Sequence, residues 1–214
     1  MRPIIVSFGG LATADADGIC QSQTPAGAGA LTLNGALVTG GVAVLDVARR
    51  VLITTAADEH TKTFTITGTD WFGNTITEAV TGPNATTGYT ELDFKTVTSV
   101  TVSAATTGAL TVGTNGVAST QPIPLDIHGR PEVSLQVTVT GTINWTVQQT
   151  LDPMFAVATS SSPTWFDHTS ADMVAETVDR QGSYTTIPTG TRVLINSGTG
   201  SGVFTVVQSG DNRA

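Results

Sequence analysis

Threonine makes up roughly one residue in five, and much of it alternates with apolar residues, as in Lys62-Thr-Phe-Thr-Ile-Thr67 and Val133-Ser-Leu-Gln-Val-Thr-Val-Thr140. Alternation with a period of two is the pattern of a half-buried β-strand, because successive side chains point to opposite faces of a sheet. Phe64 and Ile66 are therefore expected on a dry face, and Thr63, Thr65 and Thr67 on the other. Such a sheet presents hydroxyls and methyls where most proteins present charge, a surface suited to packing against other protein.

The rest of the composition fits an all-β chain. Charged residues are only 12% of the total, and the 23 glycines and 9 prolines fall between short runs rich in Val, Ile, Leu and Phe. Those runs separate a folded β-protein from a disordered polar chain. With a net charge of −8 and nine Lys plus Arg, of which only Arg49 and Arg50 are adjacent, the chain has no basic cluster, so neither nucleic acid nor an anionic membrane surface is expected as a partner. The single cysteine, Cys20, has no partner for an internal disulfide, and folding in a reducing cytoplasm is the natural expectation.

Turn residues punctuate the strands at Asn34-Gly35, Gly40-Gly41, Gly73-Asn74, Gly82-Pro83-Asn84 and Asn115-Gly116. Strands are expected near 31–33, 42–45, 50–55, 63–67, 75–80, 91–94, 97–102 and 110–112, then at 133–140, 144–150, 164–167, 183–187, 191–196 and 203–208. The Pro-Ile-Pro stretch within Ala118–Leu125 reads as a linker. The expected organisation is an extended N-terminal arm over 1–30, an antiparallel β-sandwich or jelly roll over 31–120, and a second one over 121–214. Ser170–Thr177 offers one helical turn, with Ser170 as its cap. The Gly198-Thr-Gly-Ser-Gly202 run reads as a flexible hairpin loop.

No arrangement of residues favours catalysis. His60, His128 and His168 lack the spacing of a metal site, and Asp167 and His168 are adjacent strand residues that point apart. No serine sits in a nucleophile elbow, and Cys20 has no basic neighbour in sequence. Asp15-Ala-Asp17-Gly18 resembles the start of a calcium loop but lacks the closing acid, so a solvated turn is expected. Trp145 alternates with Val147 and is expected in the core, whereas Trp165 or Phe166 should be buried at a strand end. No cofactor and no enzymatic activity are expected, although a gathering of Asp58, Glu59 and His60 with Asp167 or His168 would reopen that question.

Contact residues are a different matter. The apolar run Ile4, Ile5, Val6 and Phe8 has no sequence neighbour to cover it, and is either a first strand or an arm that adds to a neighbouring subunit's sheet. Trp71 and Phe72, flanked by Asp70 and Gly73-Asn74, sit at an expected hairpin tip where a large apolar pair is partly exposed.

The block Arg49-Arg-Val-Leu-Ile-Thr54, Thr63-Phe-Thr-Ile-Thr-Gly-Thr-Asp70, Gly73-Asn-Thr-Ile-Thr-Glu78 and Phe94-Lys-Thr-Val-Thr-Ser-Val-Thr-Val102 resembles a β-domain found in virion proteins of tailed bacteriophages. A later block, Val147-Gln-Gln-Thr-Leu-Asp-Pro153 with Thr164-Trp-Phe-Asp-His168, Ile187-Pro188 and Phe204-Thr-Val-Val-Gln208, resembles a second phage module. The resemblance implies a structural virion protein, in first place a capsid decoration (cement) protein on the head. Its partners would be the major capsid protein and copies of itself, a trimer being one arrangement. A head fibre, head-tail connector, tail protein or carbohydrate-binding adhesin are the alternatives, and the resemblance supplies no catalytic residues.

Overall fold

The computed structural model describes residues 3–126, 132–154 and 163–209. His128 lies outside them. The fold is all-β, with antiparallel sheets. Its strands are β1 (Ile4–Gly9), β2 (Cys20–Gln23), β3 (Gly29–Ala30), β4 (Val38–Thr39), β5 (Val42–Thr55), β6 (Thr63–Thr69), β7 (Thr75–Thr81), β8 (Thr87–Tyr89), β9 (Phe94–Val102) and β10 (Leu110–Ser119). After them come β11 (Ile123–Pro124), β12 (Val133–Thr140), β13 (Ile143–Thr150), β14 (Phe166–Asp167), β15 (Arg180–Tyr184), β16 (Gly190–Gly198) and β17 (Ser201–Gln208). The chain forms two compact units, residues 12–116 and residues 1–11 with 117–214.

In the unit of residues 12–116 the sheet order is β10-β5-β9-β6-β7, with β2 on β10, β3 on β9, and β4 and β8 on β5. The alternation in β6 does what the sequence predicts: Phe64 and Ile66 are fully buried, in a core with Ile19, Leu45, Ile53, Phe94, Val100 and Leu110. Burying each such side chain stabilises the fold by about 1.5–3 kcal/mol. The two strands expected at 42–45 and 50–55 are one strand, β5, because an irregularity between Val44 and Arg49 lets the ladder resume without a turn. Arg49 is 1% exposed there, donating from Nη2 to the Ala12 carbonyl at 2.7 Å and to Asp46 Oδ2 at 2.6 Å.

The other unit holds a four-stranded sheet, β1-β17-β12-β15, and a second set of strands in which β13 pairs with β14 and β16, while β16 also takes the end of β10 and β11. Trp145 and Val147 on β13 are fully buried, as their alternation predicts. Strands β12 and β13 are consecutive but lie in different sheets, as do β16 and β17. The Gly198–Gly202 run is therefore a crossover between sheets and not the expected hairpin. The two crossovers touch: Gly200 N–H donates to the Thr142 carbonyl at 2.8 Å, and Gly10 N–H to the Gly200 carbonyl at 2.8 Å. A β-carbon on Gly198 would overlap the Thr142 carbonyl, and one on Gly9 the Gly200 carbonyl. Glycine is required there by backbone proximity, and at both positions also by positive φ (+106° and +85°).

Three other expectations change. The segment 1–30 is not a free arm: β1 pairs along its length with β17 of the same chain, from Ile4 opposite Val206 to Gly9 opposite Ser201. The stretch Ala118–Leu125 is not a linker. Ala118 and Ser119 pair with Ile195 and Leu194, Thr120 N–H donates to the Val193 carbonyl, and Ile123 and Pro124 pair with Thr191 and Gly190. Its prolines are tolerated because this segment lies along the sheet margin, where a missing donor is not needed by a further strand. The helical turn expected within Ser170–Thr177 is a 3-10 turn, Ala171–Met173, and Ser170 does not cap it with a side-chain bond.

Candidate interaction surfaces

Antiparallel pairing in β7, β6 and β9 sets the outward residues in rows. Thr67 lies between Thr77 and Ser99, Thr65 between Ala79 and Thr101, and Thr69 between Thr75 and Thr96. Hydroxyls bond one another across strands, Thr69 to Thr96 at 2.7 Å and Thr67 to Thr77 at 3.2 Å. Cross-strand Thr pairs of this kind stabilise a sheet while keeping its surface free of formal charge. Glu78, the acidic residue of β7, is half-buried and takes its carboxylate elsewhere, accepting from the Glu91 and Leu92 amides at 2.8 Å each.

The same hairpin ends in the turn that carries Trp71 and Phe72. Asp70 holds it: Oδ1 accepts from the Phe72 and Asn74 amides at 2.8 and 2.9 Å, Oδ2 from the Asn74 side chain at 3.0 Å, and Gly73 supplies φ +82°. The pair does not act as one patch. Phe72 is 47% exposed, whereas Trp71 is half-buried with the Lys95 ammonium 5.2 Å from its ring centroid. Lys95 is fixed in turn by the Leu45 and Asp46 carbonyls at 2.6 and 3.0 Å.

Along β1, Ile4 is 41% and Ile5 59% exposed, and Val6 is half-buried. Phe8 is not a surface residue: it is 6% exposed and lies against Gly202, where any side chain would strike its ring.

The titratable residues are used locally. Asp167 and His168 do point apart: Asp167 accepts from the Gln148 side chain at 3.0 Å, while His168 is buried with its ring centroid 5.0 Å from that of Tyr184. Burial pushes the His168 imidazole below its usual range, and its Nδ1 accepts from the Ser170 amide at 3.0 Å, so the ring is neutral. Of Trp165 and Phe166, one of them expected to be buried at this strand end, Trp165 is half-buried and Phe166 is 61% exposed, and the buried ring there is His168. Asp58 and His60 pair at 2.7 Å on the surface, where the His60 amide and ring hold the Asp58 carboxyl below its ordinary range. Burial pushes the Cys20 thiol up to about 12. Asp15 caps its own turn, accepting from the Asp17 amide, and among the described residues no three metal-binding side chains gather.

Two buried polar clusters were not legible in the sequence. Glu59 is fully buried; it accepts from the Thr107 and Gly108 amides at 2.7 and 2.9 Å and pairs with Lys62 at 2.6 Å. Arg192, on β16, donates to Gln148 Oε1 at 3.0 Å and Ser119 Oγ at 3.2 Å, and its guanidinium stacks 4.5 Å from the Trp165 ring centroid. The sequence signal for Arg192 is a charge placed inside the otherwise uncharged strand β16. Both clusters tie segments distant in sequence and leave little charge to act on a ligand.

A surface concavity of about 490 Å³ lies beside Gln136, Thr138, Asp172, Asp179 and Arg180. No aromatic lines it, and two of its three charged residues are engaged: Asp179 accepts from the Val139 amide and Arg180 pairs with Glu176 at 3.0 Å. An aromatic platform for a sugar ring is therefore missing from it. Among the described residues no helix is long and apolar enough to cross a membrane. The site geometry and the antiparallel sheets define the chain as an all-β protein. No protein-family model matches the chain, and no curated protein does either.

Proposed function

We propose that this chain is a structural virion protein of a tailed bacteriophage, and within that class a capsid decoration protein that binds the major capsid protein in many copies. The observation that carries the reading is the uncharged threonine face of β7, β6 and β9, in which hydroxyls are paired with one another across strands. A face of that kind can be desolvated against another protein without stranding a charge. The sequence resemblance to phage structural modules supports the same reading. So does the use of Arg49, Glu59 and Arg192 as internal ties.

Cementing works by addition. Each copy bridges neighbouring shell subunits, so that rupture must also strip its contacts, and repetition supplies strength even where one contact is weak. The test is quantitation of the chain in purified particles, followed by binding to undecorated capsids. Copies in the number of shell subunits or their clusters, with particles that lose DNA at lower temperature when the protein is missing, would support decoration. A single ring of copies would move the protein to the connector or tail.

A further inference from the structure

We propose that β1 is a self-association edge through which two copies of this chain pair antiparallel about a twofold axis at Val6. Among the described strands only β17 pairs with β1, so one side of β1 is open. The register opposes Ile4 to Val206, Val6 to Phe204 and Phe8 to Gly202, and the Gly10 amide bonds the Gly200 carbonyl with the same offset. Because hydrogen-bonded pairs alternate in an antiparallel ladder, Ile4, Val6 and Phe8 bond toward β17. The N–H and C=O of Ile5 and Ser7 point away from the sheet.

Open edges are normally guarded by charge, proline, brevity or a bulge. The other outer strands follow that rule: β7 contains Glu78, β15 contains Arg180, and β14 is two residues long and contains Asp167. Strand β1 has six residues, Ile4–Gly9, with no charge and no proline.

The strand is also its own complement, which is why the occupant is a second copy. With Val6 facing Val6 across the axis, Ile5 and Ser7 of each copy exchange both backbone bonds with Ser7 and Ile5 of the other. Large Ile5, 59% exposed, then lies beside small Ser7. Ile4 is on the core-facing side, opposite fully packed Val206, yet it is 41% exposed; the second copy's Phe8 comes beside it. Sliding by one pair in one direction sets Ser7 against Pro3, which has no N–H to give. Sliding the other way calls on Gly9, whose φ of +85° takes its peptide groups out of ladder geometry. The net charge of −8 carried by each copy is absent from the contacting strand. This arrangement stands apart from the virion reading and replaces a threefold cluster with a twofold one.

Light scattering on the eluting full-length chain should give twice the 21.9 kDa protomer mass. Ser7→Pro removes an outward N–H that β17 does not use, and should give the protomer mass with an unchanged far-UV spectrum. Val6→Cys should cross-link into a reducible dimer under mild oxidation, since facing non-bonded pairs lie about 4.5 Å apart, within disulfide reach. Thr205→Cys, one strand inward, should not. A protomer mass for the natural chain at its highest soluble concentration, an assembly that Ser7→Pro leaves intact, or a Val6→Cys chain that does not cross-link would each overturn the proposal. The cross-link decides the matter if Ser7→Pro does not fold.

Discussion

The Tyr184 hydroxyl meets the Thr191 hydroxyl at 2.8 Å in the interior of the C-terminal unit, although Tyr184 is on β15 of the four-stranded sheet and Thr191 is on β16 of the other. Thr191 passes the bond on, donating to the Gln148 carbonyl at 3.0 Å. The two sheets are thus joined by a short polar chain inside an apolar interior, where hydrogen bonds are strong when complete and costly when broken.

Removing its two members should have unequal effects. Tyr184→Phe deletes one hydroxyl and leaves Thr191 bonded to Gln148, so the expected loss is about 1 kcal/mol. Thr191→Val strands the Tyr184 hydroxyl in the interior, while the Gln148 carbonyl keeps its ladder pairing with Arg192, and up to about 3 kcal/mol should be lost. Urea denaturation of the two variants measures the difference; equal losses would show that the chain of bonds is not acting as a unit.

Alkaline pH provides a second check. Burial pushes the Tyr184 phenol up to about 12 from its ordinary 10.0. The folded state therefore favours the protonated phenol, and this contribution is complete below pH 10 and lost as pH rises toward 12. Stability should fall across that window, and the fall should be shallower in Tyr184→Phe. Cys20, pushed up to about 12 by burial in the other unit, should react with a thiol reagent only on unfolding.

Backbone proximity at the crossovers predicts a sharp contrast among glycines. Gly198→Ala would force a methyl into the Thr142 carbonyl at a φ of +106°, whereas Gly116→Ala meets open space at an ordinary φ. The first should cost at least the ~1–3 kcal/mol of an overpacked core, and the second should stay within about 0.5 kcal/mol of the natural chain. Thermal denaturation separates them directly.

Segment 118–125 should resist both protease and amide exchange. The Thr120 and Leu125 amides bond the Val193 and Thr189 carbonyls, and Ala118, Ser119, Ile123 and Leu125 are buried. Early cleavage inside this segment would contradict its place in the sheet.

Strand positions were the most legible feature because alternation is a local signal: Val133–Thr140 matches the expected bounds, and β6 and β7 extend them by two residues and one. Pairing was not legible. Nothing in Ile4–Gly9 indicates that it returns to the end of the chain, and nothing in the Pro-Ile-Pro run indicates that a distant strand, β16, takes it up. Both outcomes depend on contacts across large sequence separations. The same holds for the contact residues. Phe8 and Ile5 look alike in the sequence, but register on β17 puts Phe8 over Gly202 and leaves Ile5 outside.

Acid should loosen the unit of residues 12–116 through Glu59. Burial alone would raise its carboxyl, but the bond from Lys62 and those from the Gly108 and Thr107 amides outweigh it and hold Glu59 below its ordinary range. A carboxyl depressed by folding contributes stability that is complete above its unfolded value and lost as pH falls through the folded one. Glu59→Gln keeps the shape and an acceptor for the two amides, but it removes the charge opposite Lys62, whose side chain is 14% exposed. About 2 kcal/mol should be lost at neutral pH, the scale of a hydrogen bond to a charged group. The variant should also lose less stability on acidification than the natural chain. A Glu59→Gln chain with the natural acid sensitivity would place the proton uptake elsewhere, and Asp46, held low by Arg49, would be the next group to test.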